Sequence, residues 1–258
     1  MSQKIEKKIH YCWFGGNPLS DMAQRCIASW EKYCPDYEII QWDETNFDVT
    51  ANPYTNEAYQ AKKWAFVSDY ARLHAIYHQG GIYMDTDCEL LKPIDDFLEE
   101  EAFSGFENKE SVPTAIMGGQ KGHPMYHYLL SYYENRYFKG ADNLADETTN
   151  VDIITKMLLD KGLVLNNQKQ TVEGFTLYPL EYFCPKDPFT GELRTTENTH
   201  AIHHFDGSWV DEEKKQLRKV KHRLCQLLGK RIGLKVYVIY YVLKKEGIKG
   251  VVARVGGK

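Results

Sequence analysis

Apolar positions recur along this chain with two different periods. From 64 to 79, Phe66, Tyr70, Leu73 and Tyr77 return at i, i+4, i+7 and i+11, which writes one face of a helix. Asp69 and Arg72 fall on an adjoining face, and Gly80-Gly81 follow where a helix end favours glycine. Ile82-Tyr83-Met84 is then a short unbroken apolar run, read as a buried strand. Upstream, residues 9–14 form a similar run closing at Gly15-Gly16. Residues 20–32 have helical spacing through Met22, Cys26, Ile27 and Trp30, and residues 37–42 read as a strand after the Pro35-Asp36 turn. Strand, helix, strand in this order predicts a parallel α/β sheet. Beyond Lys92-Pro93 the pattern predicts a short helix over 94–98, a loop over 115–124 and helices over 124–137 and 151–159. Extended chain over 175–182, a short strand over 201–205 and an amphipathic helix over 210–228 follow.

Composition narrows the class. With 258 residues, 43% hydrophobic and 26% charged, the chain suits one sizeable folded domain with an appendage rather than a disordered segment. Six scattered cysteines form no CxxC pair and no zinc spacing, which points to a reducing compartment. Residues 1–8 are polar and no apolar signal region follows them, so a cytoplasmic location is expected. No apolar run approaches the ~20 residues that cross a bilayer. The net charge of −4 hides a division: residues 214–258 hold 14 Lys or Arg and one acid, Glu246, a net of +13, so residues 1–213 carry −17.

The chemistry begins at Asp85-Thr86-Asp87. Carboxylates at i and i+2 on a strand leave it on one face, two rises of ~3.3 Å apart, so both are expected to look into one space. Two such charges ~5 Å apart repel by ~3 kcal/mol at an effective dielectric of about 20, so the pair asks for a cation. Oxygen ligands suit Mg(II) or Mn(II) better than zinc. The plain alternative is one Asp capping a turn and the other solvated in a loop.

Three blocks carry a resemblance. Ser68-Asp69-Tyr70-Ala71-Arg72 on a helix, the Gly80-Gly81 turn and the apolar strand ending in Asp85-Thr86-Asp87 form the first. Ile9-His10-Tyr11-Cys12-Trp13-Phe14-Gly15-Gly16 is the second, and Ala201-Ile202-His203-His204-Phe205-Asp206-Gly207-Ser208-Trp209 the third. Together they resemble glycosyltransferase family 32, sugar transferases with a DXD motif, and more distantly the glucosylating domain of large clostridial toxins. The resemblance implies a GT-A type α/β fold and transfer from a nucleotide sugar with retention of configuration. It implies that Trp13 stacks on the donor base, which favours UDP, and that Ser68, Asp69, Arg72, Tyr83 and Asp85 contact the donor. It also implies that Asp87 holds Mn(II) or Mg(II), that His203 or His204 joins it, and that Ser208 and Trp209 close over the diphosphate. Asp69, Arg72, Asp85 and Asp87 are thus the expected catalytic group. Where many members carry Thr-Gly-Pro, this chain reads Thr148-Thr149-Asn150-Val151-Asp152. Asn150 and Asp152 are candidates for sugar or acceptor contacts, with a helix cap as the alternative.

The basic end is written like a helix lying on a membrane surface. Leu217, Val220, Leu224, Leu227 and Leu228 form a stripe, and Lys214, Lys215, Arg218, Lys219, Lys221 and Arg223 occupy other faces. Packing of a helical pair against the chain's own domain is the alternative. Nucleic acid is not an expected partner, since no recognition motif accompanies the charge. The expectation is a GT-A domain over 1–213 and a basic amphipathic helical extension over 214–258. It would pass a hexose or N-acetylhexosamine from a nucleotide sugar, UDP being favoured, to a polysaccharide or lipid-linked oligosaccharide acceptor at the inner face of the cell membrane, in capsular or exopolysaccharide synthesis. The rivals are a toxin-like enzyme that glucosylates protein, a phosphohydrolase using its Asp-x-Asp, and a non-enzymatic sugar-nucleotide-binding protein.

Overall fold

The computed structural model describes residues 4–112, 115–140, 144–207 and 212–255. The chain separates into two compact units, residues 1–185 with 195–209, and residues 186–194 with 210–258.

In the first unit the elements run β1 (Lys8–Cys12), α1 (Asp21–Tyr33), β2 (Glu38–Trp42), α2 (Pro53–Gln60), α3 (Trp64–Gln79), β3 (Gly81–Met84) and β4 (Cys88–Leu90). Then come β5 (Ala102–Gly105), β6 (Ile116–Gly119), α4 (Pro124–Ser131), α5 (Asn150–Leu159), β7 (Gln170–Val172), β8 (Phe175–Tyr178), α6 (Leu180–Phe183) and β9 (Ala201–His203). The main sheet has the order β2-β1-β3-β6-β5-β8-β7, and β4 pairs with β9 in a second small sheet. The expected parallel start is found, with β1 parallel to β2 and to β3, but β6 and β7 run antiparallel to their neighbours and make the sheet mixed. The α/β class expected from the sequence is found.

Alternation along β3 sets up the site. Ile82 and Met84 face a core with Trp30 of α1, while Tyr83 faces the opposite core with Phe66, Val67 and Leu73 of α3. That is the period-2 consequence of the pleat. Helix α3 is buried nearly all round: besides its apolar positions, Asp69 and Arg72 are only 8% and 6% exposed. The helix stops because Gly80 takes φ +67°, and Gly81 follows at +100°, backbone that glycine enters without a Cβ clash. A Cβ on Gly81 would also lie 2.9 Å from Lys8 Cβ and 3.0 Å from His10 Nε2, so β3 enters close against β1. His10 Nε2 donates to the Gly80 carbonyl at 2.7 Å while its Nδ1 accepts from Trp42 at 3.1 Å. Burial holds this imidazole below its ordinary pKa, against the pull of that carbonyl.

Several expectations need correction. The 115–124 loop contains β6, a central strand that its Gly118-Gly119 pair disguises. Those glycines serve packing: a Cβ on Gly118 would lie 2.2 Å from the Phe103 ring, and one on Gly119 2.3 Å from the Tyr126 ring. Gly118→Ala is expected to cost about 1–3 kcal/mol by forcing Phe103 off its position, measurable as a lowered urea midpoint at unchanged slope. The helix predicted over 124–137 ends at Ser131, and the chain turns through Asn135 at φ +57°. Residues 94–98 supply only a 3₁₀ turn at Asp95–Phe97, and 175–182 splits at Pro179 into β8 and the turn of α6. The cysteines are all buried.

The second unit pairs α7 (Glu212–Leu228) with α8 (Lys230–Val255) around the segment 186–194. The helices meet closely at Gly233, where a Cβ would lie 2.5 Å from Cys225 Cα. Glu213 takes Lys245 and Lys244 at 3.0 and 3.4 Å, and Asp187 takes Lys230 at 2.9 Å. The stripe expected on α7 divides, since Leu217 is buried while Leu227 is 81% exposed. On α8, Ile232, Val238, Ile239 and Leu243 also reach solvent beside the exposed Arg231 and Lys235. Among the described residues no helix is long and apolar enough to cross a membrane.

Candidate functional site

The site lies where β3 leaves the sheet. Asp85 donates its amide to the Ala115 carbonyl, and its own carbonyl accepts from Cys88 at 2.9 Å, so residues 85–88 form a tight turn into β4. Asp85 and Asp87 therefore do not leave a straight strand on one face as the i, i+2 spacing suggests; the turn makes them converge. The β4–β9 pairing sets Cys88 opposite His203. One ligand atom each from Asp85, Asp87 and His203 lies within 4.8 Å of the others.

Asp85 belongs to a network built on α3. Arg72 Nη2 is 3.1 Å from Asp69 Oδ1 and 3.3 Å from Asp85 Oδ1, and Nη1 is 3.4 Å from Asp85 Oδ2. The guanidinium lies 4.7 Å above the Tyr83 ring, and the Tyr83 hydroxyl donates to Asp85 Oδ1 at 2.9 Å. Ser68 contributes its carbonyl, accepting from Arg72 Nε at 3.2 Å, while its hydroxyl is turned to the Trp64 carbonyl. An Asp and Arg at i, i+3 on an exposed helix are worth a few tenths of a kcal/mol. Here both are buried and share a second carboxylate, a different energetic regime.

Asp87 belongs to a second group. Its Oδ2 accepts the Asp206 amide at 2.7 Å, leaving Oδ1 3.5 Å from His203 Nε2. Behind His203, Nδ1 faces Glu107 Oε1 at 3.6 Å. Histidine 204 points elsewhere, with its Nε2 2.7 Å from Glu89 Oε2, so the structure separates the two histidines and brings only His203 to the aspartates.

Burial dominates the electrostatics. It pushes the Asp69 carboxyl up to about 6, against the pull of Arg72 and with Asp85 adding to the rise. It also raises Asp85, again opposed by Arg72 and reinforced by Asp87, and raises Glu107, opposed by His203. Arg72 is held more firmly protonated than usual: burial works against its charge, and Asp85 foremost outweighs it. Four acidic side chains thus gather around one guanidinium and one imidazole, a deficit that a cation or a cationic ligand relieves.

The other expected residues divide. Asn150 reaches the network, donating Nδ2 to the Asp69 carbonyl at 2.9 Å. Asp152 is exposed and belongs to the N-cap of α5, donating its amide to the Thr149 hydroxyl oxygen at 3.2 Å and accepting from that hydroxyl at 2.7 Å. Trp13 follows β1 half-buried, with Nε1 donating to the Asn17 carbonyl at 2.6 Å. Ser208 and Trp209 lie outside the described residues. Sequence reasoning missed Glu107, Asp206 and Cys12. The last is a thiol pushed up to about 12 by burial against the pull of Arg72. Glu107 had no local signal, because β5, which delivers it, went unread; Cys12 and Asp206 sat inside quoted blocks without a role.

Residues 20–104 match a family model described as the glycosyltransferase sugar-binding region containing a DXD motif. Over that stretch the chain is similar to DXD-type glycosyltransferases. The matched segment includes Asp69, Arg72, Asp85 and Asp87, and leaves Trp13, Glu107, Asn150 and His203 outside it. Two relatives in Schizosaccharomyces pombe are similar to the chain. Inositol phosphoceramide mannosyltransferase 3 is 27% identical over 142 residues, covering 52% of this chain and 38% of its own. Inositol phosphoceramide mannosyltransferase 1 is 27% identical over 157 residues, covering 53% and 46%. The chain thus spans less than half the length of either. Among solved structures, PaToxG glycosyltransferase aligns with a TM-score of 0.47 and 19% identity over 62% of this chain and 70% of that one. A glycosyltransferase involved in glycosylation of the major capsid of PBCV-1 aligns at 0.37 and 10%, over 67% and 82%.

Proposed function

We propose that this chain transfers a hexose or N-acetylhexosamine from a nucleotide sugar to a saccharide acceptor, with retention of configuration and dependence on a divalent cation. The observation that carries the reading is the convergence of Asp85, Asp87 and His203 beside buried Arg72. The donor set fits a hard cation, since cis ligands bound at ~2.1 Å stand ~3 Å apart, and Asp87 Oδ1 and His203 Nε2 are already at 3.5 Å. Such a cation, held by Asp87 and His203, would supply charge compensation for the departing diphosphate.

The chain's own residues do the rest. Arg72, fixed by Asp69, Asp85 and the Tyr83 ring, presents a preorganised positive charge at the same place. Asp85, already satisfied by Arg72 and Tyr83, is suited to accept hydrogen bonds from donor hydroxyls rather than to act as a nucleophile. Trp13 offers its indole to the base, in keeping with UDP, and Asn150 helps shape the sugar pocket through Asp69. The relatives named for mannose transfer favour a hexose, and their named acceptor, an inositol phosphoceramide, favours an acceptor borne on a lipid.

A donor panel with Mn(II), read by mass spectrometry of the released sugar, tests this. One nucleotide sugar is expected to be hydrolysed or transferred only with the metal present; no turnover of any donor leaves a binding protein instead.

A lipid-borne acceptor accords with a location at the inner face of the cell membrane in surface-polysaccharide synthesis, with the basic helical pair as the docking element. Each cation close to an anionic surface contributes up to ~1 kcal/mol. Exposed Ile232, Val238, Ile239 and Leu243 beside Arg231 and Lys235 have the composition for such a surface. The full chain is expected to float with phosphatidylglycerol vesicles and not with phosphatidylcholine vesicles. Arg231→Glu with Lys235→Glu should weaken flotation on the order of 30-fold or more; undiminished flotation would exclude this face.

A further inference from the structure

We infer that Glu107 is a positioning residue for the cation site, holding the His203 ring so that Nε2 faces Asp87. Four observations support it. His203 Nδ1 is buried and makes no hydrogen bond among the described residues, a costly state for a polar nitrogen. Glu107 Oε1 faces that nitrogen at 3.6 Å, so a slight rotation of either side chain closes the contact. On the opposite edge of the ring, Nε2 faces Asp87 Oδ1 at 3.5 Å. The side chains concerned are only 11%, 14% and 17% exposed, for His203, Glu107 and Asp87, so water competes little for them.

A neutral imidazole carries one N–H, and the group that takes it decides which nitrogen keeps its lone pair. A carboxylate at Nδ1 selects the Nδ1–H form and frees the Nε2 lone pair on the Asp87 side. Carboxylates behind metal-binding histidines fix the ring in this way. Glu107 comes from the turn after β5 and His203 from the end of β9, so the pair ties a strand of the main sheet to one of the small sheet. Phe205, at φ +56°, places its ring 3.9 Å from His203 and limits the ring's freedom on that side.

The inference rests on the cation reading above, and the test separates the two. Mn(II) alone is titrated into the full chain by calorimetry, with electron paramagnetic resonance following free Mn(II), for the wild type, Glu107→Gln, Glu107→Ala and His203→Ala. Glu107→Ala is expected to weaken Mn(II) binding about 10- to 100-fold. Glu107→Gln should lie between, because its amide oxygen still accepts from Nδ1–H without the charge. Histidine ¹⁵N NMR without metal should show His203 as the Nδ1–H tautomer in the wild type and a shift toward Nε2–H in Glu107→Ala, a change that a residue merely packing there does not produce. If Mn(II) binding falls in His203→Ala while both Glu107 variants bind Mn(II) like the wild type with an unchanged tautomer, Glu107 has no such role. If His203→Ala also binds Mn(II) normally, the cation reading itself fails, and the tautomer alone then decides whether Glu107 orients the ring.

Discussion

Asp87→Ala is expected to lower metal-dependent turnover of the nucleotide sugar by about 10²–10³-fold, the scale of removing one preorganised stabiliser of a developing charge. The loss should appear in kcat and be accompanied by weaker Mn(II) binding, because Asp87 Oδ1 is the oxygen that faces His203 Nε2. Asp87→Asn separates charge from structure. Its amide oxygen can still accept the Asp206 N–H that Asp87 Oδ2 now accepts at 2.7 Å, so the fold around 204–206 should hold while the metal is lost. Steady-state rates of sugar release across Mn(II) concentrations, with circular dichroism to confirm folding, make the measurement. Full activity in both variants would place the cation elsewhere or remove it from the reaction.

Arg72→Ala should be the most destabilising single substitution in the site. It strips the shared partner from buried Asp69 and half-buried Asp85, and breaking such a buried pair from one side costs about 3–5 kcal/mol. The sign of its pH dependence follows. Burial already raises both carboxyls while Arg72 pulls them down, so without Arg72 they rise further above their unfolded values. A carboxyl raised in the folded state penalises folding when ionised, so the loss is greatest at high pH and shrinks as pH falls toward ~4 and both groups protonate. Urea unfolding of the variant at pH 8 and pH 5 should show the gap from wild type narrowing at the lower pH. A gap independent of pH would mean that lost packing over Tyr83, rather than unpaired charge, dominates. Arg72→Lys should recover part of the stability but little activity, because an ammonium cannot span Asp69 and Asp85 with a planar fork.

The N-terminal third was the most legible part. Helix α3 is bounded where its periodicity and terminal glycines put it, and β1, α1 and β2 lie within a residue or two of their patterned runs, since local apolar spacing and burial agree there. Legibility failed where glycine was placed for a distant ring. Gly118 and Gly119 read as a turn because nothing nearby in sequence shows that Phe103 and Tyr126 fill the space a Cβ would take. The same gap hid Glu107, which depends on the unread β5. Asp152 illustrates the converse: its role as a helix cap is local, and the spacing Thr149 to Asp152 contains it.

Sequence alone determined the chemical inventory: two carboxylates separated by one residue, an Asp and an Arg on one helix, two adjacent histidines, and a basic end set against an acidic body. It determined the helix that carries Asp69 and Arg72 and the strand that leads into Asp85 and Asp87, because their periods are local. Only the tertiary structure decided how they divide. The turn over 85–88 sends Asp85 to Arg72 and Asp87 to His203, and the β4–β9 register chooses His203 over His204. The reason is physical: neighbouring side chains on a strand point to opposite faces, so two histidines one residue apart are equivalent in sequence until a pairing partner assigns one of them to the site.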